Sequence, residues 1–299
     1  MFDNQRLHLL VKTAIVCFCI QLLPFNINAQ MIENKYKIYS VKDRKQVDLA
    51  QVIKYANKFQ VVQFGEEHND SVGHFLELSI LKELNGAYGS KLALSMEMFE
   101  RDVQLVLDEY LSGLIKEKNF ITEARCWKNY SDYKPLVEFA KEKNLKVIAA
   151  NAPARYVNRV TRLGLGSLNY LSDDAKKWLP GLPIDTLTGA YYDKFLQTMG
   201  DHTIPGLQIY QSQNLWDATM ADAISTFLRK KKDYKILQLN GRFHSDEYLG
   251  TCYRLKKAGV SVMTISCFSD DSFDNPDFAK YLNLADFVII TDPKVKRSF

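Results

Sequence analysis

"VVQFGEEHNDSVGHF", residues 61–75, decides how the chain is read. An apolar run ends at Gly65. Glu66, Glu67 and His68 follow at once, then the helix-cap triplet Asn69-Asp70-Ser71, then a second histidine, His74. A short apolar strand that breaks into cap residues and a helical pattern is the opening half of a strand–helix–strand unit.

The same alternation recurs downstream. Apolar runs at Val61–Phe64, Leu92–Met98, Lys146–Ala150, Ile236–Leu239, Ser261–Cys267 and Phe287–Ile290 read as strands. Several are near-continuous rather than alternating, which suits strands buried on both faces of a parallel sheet. Helical patterns occupy Val72–Leu84, Arg101–Leu111, Lys134–Lys143, Tyr210–Leu228 and Asp246–Lys257. The expected fold is α/β, with a mainly parallel central sheet and helices on both faces. Residues 154–209, with helical pieces and Pro/Gly punctuation, read as a helical insertion over one edge of the sheet, in the position of a lid. The stretch 120–133, "FITEARCWKNYSDY", is aromatic-rich and lies between helices. The tail after Ser269 is expected to be a polar loop followed by one edge strand.

Residues 1–29 read as a secretory signal peptide. Arg6 and Lys12 precede an apolar run from Thr13 to Phe25, and Ile27-Asn28-Ala29 is a tolerable cleavage pattern. A lipoprotein signal at Cys17 or Cys19 is disfavoured, because Val16 and Phe18 are too large for the position before a lipidated cysteine. Cleavage after Ala29 removes Asp3, Arg6 and Lys12 from the charge count, so a net +4 becomes +3. That is too mild for a nucleic-acid footprint. The mature part offers no apolar stretch of membrane-spanning length. Its three cysteines, Cys126, Cys252 and Cys267, lack CxxC spacing and read as buried small hydrophobes, with at most one bridge.

Ligands of open parallel sheets bind beyond the carboxyl ends of the strands. There the sequence places Glu66, Glu67, His68 and His74; then Glu97, Glu100 and Arg101; then Asn151, Arg155 and Tyr156; then Asn240, Arg242, His244, Asp246 and Glu247. Glu97 lies in an apolar strand and needs a partner or a ligand, the structural option being Arg101 or Arg155. His68 and His244 each close a Gly-x-x-His motif, Gly65 to His68 and Gly241 to His244. The glycine is expected to let the chain turn sharply off its strand. Asp217 shares a helical stripe with Gln213, Met220 and Ile224, and is expected to find a buried partner there. Trp127, Tyr130 and Tyr133 are core by default and could line an apolar slot.

With these motifs on the page, the chain resembles the ChaN family of haem-binding uptake proteins, in the superfamily with Tiki proteases and erythromycin esterase-like enzymes. The resemblance rests on "GEEH", on Glu97 in "SMEMFE" and on "GRFH", supported by "HNDSVGHF", "EMFERDVQ", "YKPLVEFA", "IAANAPARYV" and "LWDATMA", and spans about residues 45–270. It implies an exported protein, periplasmic or secreted, with haem at the rim. Its candidate partners are a second copy of the chain and outer-membrane uptake components. It also implies a tyrosine as iron donor, Tyr133 first and Tyr130 as the substitute, because phenolate suits ferric iron. His68 or His74 would assist, and Arg101, Arg155 and Arg242 would meet the propionates. The alternative is a metal-dependent hydrolase. There His68, Glu97 and His244 would hold a divalent ion (zinc, manganese or cobalt), and Glu66 or Glu67 would activate its water.

Overall fold

The computed structural model describes Ile32, residues 34–200 and residues 205–299. The leader read at residues 1–29 lies outside the described residues. An eight-stranded sheet organises the chain. Its strands are β1 (Tyr36–Ser40), β2 (Lys45–Val47), β3 (Val61–Glu66), β4 (Leu92–Glu100), β5 (Lys146–Asn151), β6 (Lys235–Gly241), β7 (Val262–Ser269) and β8 (Phe287–Thr291). They lie in the order β2-β1-β8-β7-β3-β6-β4-β5. Six of them, β3 to β8, run parallel, and β1 pairs antiparallel with both β2 and β8.

The α/β architecture read from the sequence is therefore the observed one, with two differences. The hairpin β1–β2 was not visible in the alternation, and it takes the outer position. β8 is consequently internal, not an edge strand. The true edge, β2, is three residues long and exposes Lys45, a combination that blunts sheet-to-sheet association.

Helices cover both faces. On one side Val62, Phe64, Leu94, Met96, Leu237 and Leu239 pack under α1 (Leu49–Ala56), α2 (Ser71–Tyr88), α3 (Gln104–Leu111), α4 (Glu117–Glu123) and α5 (Tyr130–Glu142). On the other side Val61, Ala93, Ile148, Ile236 and Val262 pack under α9 (Ile209–Lys230) and α10 (Gly250–Lys257). Neighbouring residues of one strand thus serve opposite cores, which is why these strands read as continuously apolar. Between β5 and α9 the chain makes α6 (Ala154–Leu163), α7 (Asp173–Lys176) and α8 (Ala190–Met199). Helix α10 starts later than its pattern, because Glu247 and Tyr248 have positive φ and interrupt the turn before Gly250. The described cysteines are all free. Among the described residues no helix is long and apolar enough to cross a membrane.

Candidate functional site

Strand register brings the two Gly-x-x-His motifs together. β3 and β6 are parallel neighbours, with Gly65 opposite Asn240 and Glu66 opposite Gly241. β4 flanks β6 on its other side, with Met96 opposite Leu239, so Glu97 ends beside the second motif. Gly65 and Gly241 both have ordinary negative-φ backbone, so neither is there for a left-handed turn. They are there for close approach. A methyl on Gly65 would stand 2.5 Å from Ser245 Oγ and 2.9 Å from Arg242 Cα, and one on Gly241 would stand 2.8 Å from His68 Nε2. Each glycine makes room for the other motif.

Around the first motif the buried groups are carboxylates. Asp70 caps α2 through the amide of Val72, fixing the helix start that carries His74 and Glu77 one turn apart on its buried face. Glu66, 2 % exposed, has His68 Nδ1 at 3.0 Å and accepts from Tyr133 Oη at 2.8 Å, both on Oε1. His74 Nδ1 sits 3.3 Å from Glu66 Oε2 and 3.1 Å from Glu77 Oε2. Burial and mutual repulsion push Glu66 up to about 8, and burial does the same for Glu77. Burial opposes charging His68, but the Glu66 and Glu97 carboxylates prevail and raise it.

Around the second motif the charges alternate. Glu97 Oε2 accepts from the Gly241 amide at 2.7 Å, and Glu97 Oε1 lies 3.5 Å from His244 Nε2. His244 Nδ1 bonds Asp217 Oδ1 at 2.8 Å, and Thr251 and Tyr191 also donate to Asp217. Burial disfavours an imidazolium here, yet the two flanking carboxylates outweigh it and hold His244 up to about 10. Burial likewise disfavours the Glu97 anion, but His244, His68 and the Gly241 amide bring it down to about 2. Tyr191 comes from α8, so the helical excursion contributes to this cluster. Lys194 on the same helix donates to the Asp246 carbonyl at 3.0 Å.

Beside these clusters lies a cleft of about 550 Å³, lined among others by Glu97, Trp127, Val157, Trp216 and His244. The His68 ring stands edge-on to Trp127, a residue of the cleft wall, 5.1 Å between centroids, with 37 % of its side chain exposed.

The other expected residues fall as follows. Tyr133 is 1 % exposed and its hydroxyl is engaged by Glu66; burial and the Glu66 and Glu77 carboxylates drive its ionisation far above the ordinary tyrosine range. Tyr130 packs against Phe120 in the core. Glu67 points away from the cluster, to Arg297 and Ser269, because adjacent residues of an extended segment project to opposite sides. Arg101 pairs with Asp222 and borders a different cleft. Arg242 pairs with Asp246. Arg155 pairs with Asp102, which also holds Arg125, a residue the sequence reading missed. His68, Glu97 and His244 neighbour one another without forming a compact donor set. Among the described residues the group whose donor atoms lie within 4.8 Å is Glu66, His74 and Glu77.

A family model described as haem-binding uptake, Tiki superfamily, ChaN, matches residues 52–255. The chain belongs to this ChaN family. Among solved structures it is similar to one described as cofacial haem binding to ChaN of Campylobacter jejuni, at 18 % identity and a TM-score of 0.65, covering 86 % of this chain and 97 % of that one. At that identity the likeness concerns the fold. A mutant of the erythromycin esterase EreC aligns more loosely, at 11 % identity and a TM-score of 0.47 over 86 % of this chain and 83 % of that one. A search of curated proteins found no match.

Proposed function

We propose that this ChaN-family chain is an exported haem-binding protein that holds haem in the cleft beyond β4, β5 and β6. The observation that supports it is the cleft itself: about 550 Å³, within the size range of small-molecule sites, with two indole walls, one of which, Trp127, is met edge-on by the partly exposed His68 imidazole. The residues fit the group. Trp127, Trp216 and Val157 offer apolar surface to a porphyrin, and Arg125, which pairs with the lining residue Glu100, and Arg155, which follows the lining residue Ala154, would supply cations for propionates. When bound, haem supplies an iron centre that takes axial donors.

His68 is the better iron donor of the groups expected from sequence. Its Nδ1 is tied to Glu66, which fixes the ring and leaves Nε2 free, the usual arrangement of an imidazole ligand. Tyr133 would first have to leave Glu66 and lose a proton in a carboxylate-rich interior. It instead steadies the carboxylate that orients His68. The similar Campylobacter structure is described as binding haem cofacially, which favours a second copy facing the cleft in this chain as well. Outer-membrane uptake components are the remaining candidate partners, and a mature start at Gln30 is the expected processing.

The test is a haemin titration of the mature protein followed by its visible spectrum. Wild type should shift the Soret band, His68→Ala should weaken binding at least about tenfold, the loss expected when one donor goes, and Tyr133→Phe should keep the band position. The reverse pattern would return the donor role to Tyr133. No spectral shift in wild type would overturn the haem reading and leave the metal-dependent hydrolase.

A further inference from the structure

Behind His68, away from the cleft, Glu66, His74 and Glu77 meet in the interior. Their donor atoms lie within 4.8 Å of one another, and all three residues are buried. Two facts make this more than an acidic cluster. First, Glu66 Oε2 and Glu77 Oε1 have no donor other than a proton shared between the two carboxyls, although Glu66 is 2 % exposed and Glu77 fully buried. Second, the His74 ring is oriented from behind. Its Nε2 lies 3.2 Å from the carbonyl oxygen of His68, which can only accept. In the neutral ring the proton therefore sits on Nε2, and the lone pair of Nδ1 points between the two carboxylates, 3.3 and 3.1 Å away.

Lone pairs from three side chains thus face one another in a dry space. The ion pairs of Glu66 and Glu77 in the described residues are with histidines, not with lysine or arginine. A buried carboxylate pair without a cation is costly, and a metal ion removes the cost. An imidazole whose other nitrogen donates to a backbone carbonyl is how proteins present a histidine to a metal. Asp132 Oδ2, also without a hydrogen-bond partner, lies 3.8 Å from His74 Nε2 and adds negative charge.

We propose that Glu66, His74 and Glu77 form an interior site for one divalent transition-metal ion, separate from the haem cleft. Two carboxylate oxygens and one imidazole nitrogen are a donor set for manganese, cobalt or zinc, not for calcium or magnesium, which favour all-oxygen shells, nor for copper(I), which favours sulfur. Through Glu66, whose other oxygen holds Tyr133 and His68, the ion would stiffen the support of the rim histidine. The site stands on its own geometry and does not need the haem reading.

The probe is cobalt(II), because its visible bands report the donor set. Metal-stripped protein should take up one equivalent, with bands in the visible range and a rise in melting temperature of about 5 °C at saturating ion. Glu77→Gln should fold, still shift haemin, and lose the cobalt bands; His74→Gln should lose them too. If these variants do not fold, wild type and His244→Ala together decide it: one equivalent kept in His244→Ala supports the site, and no uptake by wild type, or its loss in His244→Ala, refutes it. Uptake that survives in Glu77→Gln but vanishes in His244→Ala would refute it too, by placing the metal at the Gly-x-x-His pair.

Discussion

The two Gly-x-x-His motifs leave adjacent parallel strands and end in opposite electrostatic states. His244 sits between two carboxylates, and Asp217 collects donors from Thr251 and Tyr191 as well. Every buried charge there has a partner. Behind His68 the proportions invert: Glu66 and Glu77 share the two neighbouring imidazoles, and each keeps a carboxylate oxygen without a donor. One half is a closed ion network and the other is unbalanced. A motif of four residues does not carry its own chemistry; the helices packed behind it, α9 in one case and α2 in the other, decide it.

The largest effect should come from breaking the closed half. Asp217→Ala would leave His244, Tyr191 and Thr251 without their shared acceptor in the interior. We expect a loss of about 3–5 kcal/mol, as for other broken buried pairs, read as a lower midpoint in urea. Asp217→Asn, which keeps an acceptor oxygen, should cost less than half as much. Equal losses in the two variants would mean that the charge, and not the hydrogen bonding, holds this half.

The glycines come next and should separate stability from binding. Gly65→Ala collides with the Arg242 backbone and should cost about 2–3 kcal/mol, the range of an overpacked core. Gly241→Ala meets the ring of a partly exposed histidine, which can give way, and should cost about 1 kcal/mol. Haemin affinity should show the opposite order, since only Gly241→Ala displaces His68. Urea melts and haemin titrations of the two variants compare them directly.

A further effect lies in the pH dependence of metal-free protein. Glu66 and Glu77 titrate higher when folded than the 4.5 of the free group, so the folded state binds more protons between about pH 4.5 and 8, and this half weakens as pH rises through that window. Glu97 is depressed to about 2, so its contribution is present above about 4.5 and is lost as pH falls toward 2. His244 is raised to about 10, so its contribution is complete below about 6.5 and is lost as pH rises toward 10. Glu77→Gln should therefore gain on wild type between pH 5 and 8, by at least about 1.4 kcal/mol, one pKa unit's worth. A pH-independent difference would show that Glu77 is already paired in the folded chain.

The strands could be read because β3 to β8 are buried on both faces and several advertise it as near-continuous apolar runs. The hairpin β1–β2 could not: one strand is three residues long, and half of "YKIYS" is polar. The rim was legible from the residues that follow each strand. What stood behind it was not. Glu77 is one of two glutamates in its helix, and only the i, i+3 spacing from His74 marked it. The partner of Asp217 was expected in kind but not in identity, since His244 lies beyond a strand from it. The contact of Tyr133 was not legible, because a tyrosine in a motif looks the same whether its hydroxyl meets a ligand or, as here, a neighbouring glutamate. Glu66 and Glu67 are indistinguishable in sequence, and only the direction of the extended backbone separates them.

Three hydrogen bonds reach this site from far along the chain. Arg297 Nη2 holds Glu67 at 2.8 Å, the Ser298 amide donates to the Asn69 carbonyl at 3.0 Å, and Ser71 Oγ donates to the Lys296 carbonyl at 2.7 Å. Residues 296–298 therefore buckle down the loop that carries His68. A truncation that removes residues 296–298, or a bulky group placed among them, therefore acts on the rim itself, and purification handles belong elsewhere on the chain.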